Sequence, residues 1–305
     1  MTVAVAGQGR RCAFLTLQER GDFVIDDDHA LEPLAALGWQ TDVVSWRQTE
    51  TPWSEYELVV IRSTWDYWDD VDGFMQALQQ IDTETRLANP LGLVRWNLAK
   101  TYLRDLERQG VPIVPTLWHD HIDGQAIRNA FAVFNCAEIV VKPVVGANGV
   151  DAFRLHSEMG VEEFAKVAER FPQSAGRGAM VQPFMPSIIS EGEYSLFYFN
   201  GKYSHAILKV PQKGEFRSQE ERGAEIRPVT PEPKLLARVE QAMATLKPSP
   251  LYARIDLVRH ADQDGAGDFR IMELELIEPS MYLRTEAGAP MRFARAIDAW
   301  VLAAT

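Results

Sequence analysis

The sequence predicts an α/β chain of two or three units sharing one cleft, and three observations predict it. Short β-rich runs alternate with amphipathic helical patterns through the first 90 residues. A strand ending in a lysine, Lys142, runs straight into a glycine loop. Three carboxylates stand on two apolar runs near the C-terminal end, at Asp256, Glu273 and Glu275. The chain has 305 residues, 46% of them apolar, which is more than one small domain holds.

The N-terminal unit is placed at residues 1–95. Cys12 to Leu17 reads as a strand. Asp28 to Leu37 carries apolar residues at Ala30, Leu31, Leu34, Ala35 and Leu37, the spacing of an amphipathic helix, and Gly38 stops it. Thr41 to Trp46 and Leu58 to Ile61 are further strands. Val71 to Ile81 is helical, started by Asp69 and Asp70, whose charges suit a helix N-terminus. Strands alternating with helices imply a parallel sheet, closed by the Asn89-Pro90 turn.

The central unit, residues 96–185, opens with a helix over 97–109, capped by Asn97 and ended by Gly110. An extended connector over 111–117 leads to a helix at 124–134, a strand at 139–142 and the glycine loop. A strand near Phe153, a helix at 161–170 and a strand at 179–184 complete it. The C-terminal unit, residues 186–305, has strands near 194–199, 203–210, 251–258 and 269–277. A long helix over 231–246 and a closing helix over 287–303 accompany them. Residues 211–228 are polar and glycine-punctuated between patterned regions, and read as a lid.

Composition excludes several functions. A net charge of −12 with no Lys/Arg-rich run repels nucleic acid. No apolar run approaches the roughly 20 residues of a membrane span. The first residues read as a loose tail, and their arginines follow the small residues, the wrong order for a secretory signal. A cytoplasmic protein is expected, and a homo-oligomer is compatible with the sequence. Cys12 and Cys136 match no metal spacing and read as buried free thiols. Asp26-Asp27-Asp28-His29 reads as a helix cap, not a calcium loop.

Three motifs carry chemistry. In the first, Glu138 to Asp151 (EIVVKPVVGANGVD), glycines let backbone N–H groups approach phosphate oxygens while Lys142 supplies a point charge. The lysine precedes the glycines, so this is not a P-loop, and on its own it could be a hairpin turn beside a surface lysine. In the second, Glu273 and Glu275 share one strand face, with Asp256 in a neighbouring run. Carboxylates on an apolar strand are costly unless paired, and this trio suits Mg²⁺; an edge strand with one solvated face is the alternative. In the third, a strand ends at Gln182-Pro183-Phe184 and acids follow at Glu191 and Glu193. Such a hinge can meet an adenine edge, though a structural linker reads equally well.

The order of these features resembles the ATP-grasp superfamily, and most of all its glutathione-synthetase-like branch. The matching segments are Leu208-Lys209-Val210-Pro211, Gly214-Glu215-Phe216-Arg217, Arg227-Pro228-Val229-Thr230 and Glu273-Leu274-Glu275. The resemblance covers about residues 95 to 285 and implies an ATP-grasp fold with an antiparallel C-terminal sheet. It implies that Lys100 and Lys142 hold ATP phosphates under a loop of Gly146, Asn148 and Gly149. Gln182, Pro183 and Phe184 would meet adenine and Glu193 the ribose. Asp256, Glu273 and Glu275 would bind Mg²⁺, and Lys209 and Arg217 would face the acyl-phosphate or the substrate carboxylate. Two positions depart from the family pattern: Glu275 stands for the usual asparagine, and Ser195 for a usual basic residue.

A narrower resemblance, to the D-cycloserine synthetase group, rests on Val60 to Tyr67 (VIRSTWDY), Asn89-Pro90, Trp96-Asn97-x-x-Lys100 and Glu273 to Ser280 (ELELIEPS). That group closes O-ureido-D-serine into a ring with ATP. Arg62, Thr64 and Asp66 follow a parallel strand, where α/β folds place ligands, and could grip a zwitterionic amino acid. The alternative is a Trp-anchored turn with Arg62 paired to Asp66. Arg254 and Ser280, beside the carboxylates, fall on the substrate side. The expected reaction is ATP-dependent activation of a small carboxylic or amino acid through an acyl-phosphate, by ring closure or by two-substrate ligation. A non-catalytic ATP-binding protein is the third reading.

Overall fold

The computed structural model describes residues 10–146, 149–171, 178–260 and 267–303. Strands β1 (Arg10–Thr16), β2 (Trp39–Ser45), β3 (Leu58–Ser63) and β4 (Leu87–Ala88) form a parallel sheet in the order β2-β1-β3-β4. Helices α1 (Leu31–Ala36) and α2 (Val71–Glu84) lie on its connections. Asp70 starts α2 by accepting from the Gly73 N–H at 2.9 Å, and Phe74, Leu78 and Ile81 face inward at helical spacing. Every residue of β3 is buried, as a central parallel strand requires.

The central sheet is antiparallel, β5-β8-β6-β7, from β5 (Leu117–His119), β6 (Glu138–Pro143), β7 (Phe153–His156) and β8 (Ala179–Pro183). Helices α5 (Gly124–Phe134) and α6 (Val161–Ala168) cover it through Ile127, Phe131 and Phe164. The third sheet, also antiparallel, runs β11-β10-β9-β12-β13. Its strands are β9 (Glu193–Phe199), β10 (Lys202–Val210), β11 (Glu225–Pro228), β12 (Tyr252–His260) and β13 (Asp268–Glu275). Helices α7 (Ser187–Ser190) and α8 (Pro233–Met243) accompany it. The last helix, α9 (Ala289–Ala303), returns to the N-terminal sheet, where Phe293 and Ile297 join Phe14, Trp39, Phe197 and Tyr252 in one core.

Several local expectations change. The helix expected over 97–109 is two helices, α3 (Leu91–Asn97) and α4 (Tyr102–Arg108), and Lys100 lies in the turn between them. Asn97 ends α3 and caps nothing. Its amide donates to the Leu274 carbonyl and accepts from the Leu276 N–H, both at 2.8 Å. The connector after Gly110 docks along β13, with the Val114 N–H on the Ile271 carbonyl at 3.0 Å. The acidic run does not cap its short helix: Asp27 pairs with Arg62 and Asp26 with Arg284. The C-terminal end of the expected lid, 225–228, pairs as β11 with β10. Cys12 is buried, but Cys136 is only half-buried.

His205 lies in the shared core, 3% exposed and stacked on Phe197 at 4.3 Å. Burial pushes its imidazole down to about 4, against about 6.5 in an unfolded chain. Between those values the unfolded state binds the proton more tightly, so stability rises with pH there and is lost as pH falls. The contribution is about 3 kcal/mol, complete by pH 6.5 and gone below pH 4. His205→Gln should flatten this part of a chemical-denaturation stability profile over pH 4–6.5. A parallel loss in variant and wild type would refute it.

Candidate active site

The cleft lies between the central sheet and the antiparallel sheet, closed at one end by the N-terminal unit, and both lysine and carboxylate sets line it. β12 and β13 pair so that Asp256 opposes Glu273 and Arg254 opposes Glu275. Register therefore brings three carboxylates together, with ligating oxygens all within 4.8 Å of one another. Each has a basic partner. Glu273 contacts Lys100, and Glu275 contacts Arg254. Asp256 lies 3.0 Å from Arg254 and 3.5 Å from Lys209, and accepts from the Ser195 hydroxyl at 2.5 Å.

These contacts set the charge states. Burial pushes Asp256 up, but Arg254, Lys209 and Ser195 outweigh it and hold the carboxyl below its usual range. Burial is likewise outweighed at Glu273 by Lys100 and Lys142. At Glu275 burial wins over Arg254, and repulsion from Asp256 and Glu273 adds to it, raising the carboxyl to about 8. Burial lowers Lys142, opposed by Glu273. Burial also opposes the charge on Lys209, yet Asp256 and Glu193 hold its ammonium above the usual range.

Lys142 stands at the end of β6, and Lys100 bridges to the glycine loop, its Nζ donating to the Gly146 carbonyl at 3.0 Å. Gly149 has φ +62°, and a Cβ there would lie 3.2 Å from the Arg217 side chain, so the lid packs on the loop at a position suited to glycine. Asn148 lies outside the described residues. Arg217 is gripped by Glu215, at 3.0 and 2.6 Å, which holds that carboxyl down at about 2. Glu193 has both oxygens engaged, by Lys209 and by the Ser218 hydroxyl, each at 2.5 Å. Gln182 and Pro183 line the cleft. Phe184 does not: its ring lies under the Arg154 guanidinium at 3.7 Å and its N–H is spent on the Glu138 carbonyl. Met185 lines the wall instead.

The substrate grip expected of Arg62, Thr64 and Asp66 is not what these side chains form. Arg62 is 1% exposed, enclosed by Tyr252 and Phe293, and donates to Asp27 and to the Pro279 carbonyl, each at 2.9 Å. Thr64 is fully buried. Asp66 pairs with Arg47 at 3.1 Å and accepts from the Trp46 indole at 2.6 Å, so the Arg62–Asp66 pair does not form either. The same segment does reach the cleft, through Trp65 and Tyr67. Trp65 donates to the Glu278 carbonyl at 2.7 Å, and the Tyr67 hydroxyl faces the Glu278 side chain. Arg254 and Ser280 line the cleft beside them. Tyr67 and Glu278 stood inside recognised motifs without a role, because nothing local separates a cleft carboxylate from a surface one.

Strand-end lysines, a glycine loop and a carboxylate trio thus face one another across a single cleft, the arrangement expected of the ATP-grasp class. Residues 12–89 match the D-cycloserine synthetase DcsG N-terminal domain, and residues 122–258 match the ATP-grasp domain of prokaryotic glutathione synthetase. The chain is 33% identical over 284 residues to the cycloserine biosynthesis protein DcsG of Streptomyces lavendulae, covering 88% of this chain and 91% of that one. A glutathione synthetase of Prochlorococcus marinus is 26% identical over 204 residues, covering 61% and 62%. The crystal structure of D-cycloserine synthetase DcsG superposes with a TM-score of 0.84 at 30% identity, over 95% of this chain and 99% of that one. The D-alanine–D-alanine ligase of Bacillus anthracis shares the fold at TM-score 0.60 and 12% identity, over 95% of each chain. The chain belongs to the D-cycloserine synthetase family of ATP-grasp ligases, and is an ATP-dependent enzyme that forms an amide-type bond. Among the described residues no helix is long and apolar enough to cross a membrane.

Replacing Arg62 would strand the Asp27 carboxylate and the Pro279 carbonyl in the interior. Arg62→Met should therefore lower unfolding free energy by about 3–5 kcal/mol in urea titrations. Wild-type stability with a raised KM for the amino-acid substrate would restore the substrate role.

Proposed function

We propose that the enzyme activates the carboxylate of an amino-acid derivative as an acyl-phosphate and closes it into a ring through a nitrogen of the same molecule. The observation that carries this is the convergence of Lys100, Lys142, Lys209 and Arg254 with three carboxylates on one cleft. Likeness to DcsG over both domains favours cyclisation of O-ureido-D-serine over two-substrate ligation.

The residues fit a divalent cation. Asp256, Glu273 and Glu275 offer hard oxygen ligands at close spacing, and three carboxylates so near one another cannot all stay ionised without added positive charge. Mg²⁺ held there would supply charge neutralisation to the ATP phosphates. Lys142 and Lys100 would bind phosphate oxygens, and the glycine loop would close over them with Arg217. Lys209 and Arg254 would face the charge that develops as the substrate carboxylate attacks the γ-phosphate. The Ser195 departure fits this reading, since Lys209 and Arg254 supply the cationic charge around Asp256 that a basic residue at 195 would have brought.

Two measurements check the reading. Lys142→Ala and Glu273→Gln should each cut ATP-dependent turnover at least about 100-fold while leaving the thermal transition cooperative. Near-wild-type turnover in both would sink the assignment. ADP release should appear with O-ureido-D-serine alone; dependence on a second amino acid would instead make this an intermolecular ligase.

A further inference from the structure

Five carboxylates that are not exposed line the cleft, and basic side chains claim four of them. Glu193, Asp256, Glu273 and Glu275 each contact a lysine or arginine. Among the described residues no basic side chain reaches Glu278 within ion-pair distance, and its side-chain partner is the Tyr67 hydroxyl. A carboxylate offers about four lone-pair sites, so one hydroxyl leaves acceptor capacity for a ligand in the cleft. The backbone beneath it is fixed. Tyr252 donates to the Ile277 carbonyl at 2.8 Å, Trp65 to that of Glu278 at 2.7 Å and Arg62 to that of Pro279 at 2.9 Å. Glu278 is thus a pre-positioned acceptor beside Ser280, at the end of the cleft formed by the N-terminal unit.

We propose that Glu278 accepts the N–H of the substrate's nucleophilic nitrogen and takes its proton as the carbon–nitrogen bond forms. The inference rests on the acyl-phosphate reading above. The nitrogen lone pair attacks the acyl carbon, and the carbon–oxygen bond to phosphate breaks. Phosphate leaves with that electron pair, and the nitrogen's proton passes to a Glu278 carboxylate oxygen. Tyr67 is the positioning residue that orients the carboxylate. Burial, partly offset by Lys100, lifts this carboxyl to about 7, which makes it a better proton acceptor than an ordinary carboxylate.

The test separates the two half-reactions. Wild type and Glu278→Gln are incubated with ATP and O-ureido-D-serine, with and without hydroxylamine, which traps an acyl-phosphate as its hydroxamate. Glu278→Gln should form hydroxamate within about 3-fold of wild type while ring product falls about 100-fold or more, the usual scale of a lost acid–base group. Glu278→Asp, which keeps a carboxylate, should recover part of the product. Overturning results are ring closure by Glu278→Gln at near-wild-type rate, loss of hydroxamate together with product, or a Glu278→Asp variant no better than the amide. If wild type itself forms no hydroxamate, the acyl-phosphate reading fails, and that outcome is distinct from failure of the Glu278 role alone.

Discussion

Six consecutive backbone carbonyls, Leu276 to Met281, each accept a hydrogen bond from a side chain, and the cleft is built around that segment. The donors are Asn89, Tyr252, Trp65, Arg62, Arg254 and His205 in turn, at 2.7 to 3.3 Å. The chain has left β13 here and makes no ladder, so its buried carbonyls must find partners elsewhere. An unpartnered buried acceptor costs about 1–3 kcal/mol, so the six donors together decide the course of this segment. They come from the N-terminal unit and from β10 and β12, which ties the two units into one site. The carboxylates Glu273 and Glu275 lie just before the segment and Glu278 within it.

This explains a division of labour that the sequence obscures. Arg62 and Trp65 belong to a segment resembling a ligand-binding strand end, yet their polar atoms face the protein's own backbone. Their effect on chemistry is indirect: they hold the peptide groups that carry Glu278 and Ser280. A buried arginine and a substrate-gripping arginine have the same letter and the same flanking strand. Only the partner tells them apart, and here Pro279 is 217 residues away in the chain.

The same distance rule marks what was legible. Strand alternation put Glu273 and Glu275 on one face, and β12 register then joined Asp256 to them, so the carboxylate trio could be read from local pattern. Lys142 and its glycines were legible for the same reason, as were the parallel N-terminal sheet and the closing helix. The break between α3 and α4 was not. Asn97 has the composition of a cap, but its amide serves β13, 177 residues on. β11 was missed because it is a short, polar strand at the sheet's edge, and such strands carry a loop's composition. The family resemblance placed Phe184 against adenine with Gln182 and Pro183, while Arg154 and Glu138 hold it at another wall.

The two departures from the family pattern, read singly, look like losses; together they form a compensated set. Glu275 brings a titratable carboxyl where an asparagine would bring none, and Ser195 removes a positive charge. Arg254 faces Glu275 across the β12–β13 ladder and reaches Asp256 as well, so it partners the added carboxyl directly. Lys209 reaches Asp256 from β10, while the Ser195 hydroxyl donates a short hydrogen bond to that carboxylate. With Glu275 raised to about 8 and so largely protonated at neutral pH, Lys100, Lys142, Lys209 and Arg254 outnumber the carboxylates Glu193, Asp256 and Glu273 along this part of the cleft. That cationic surplus suits the net negative charge that a nucleotide with one divalent cation would bring. Glu278 stands outside these ion pairs, and under the proposal above that is what leaves it free to accept a proton where the other carboxylates contact cations.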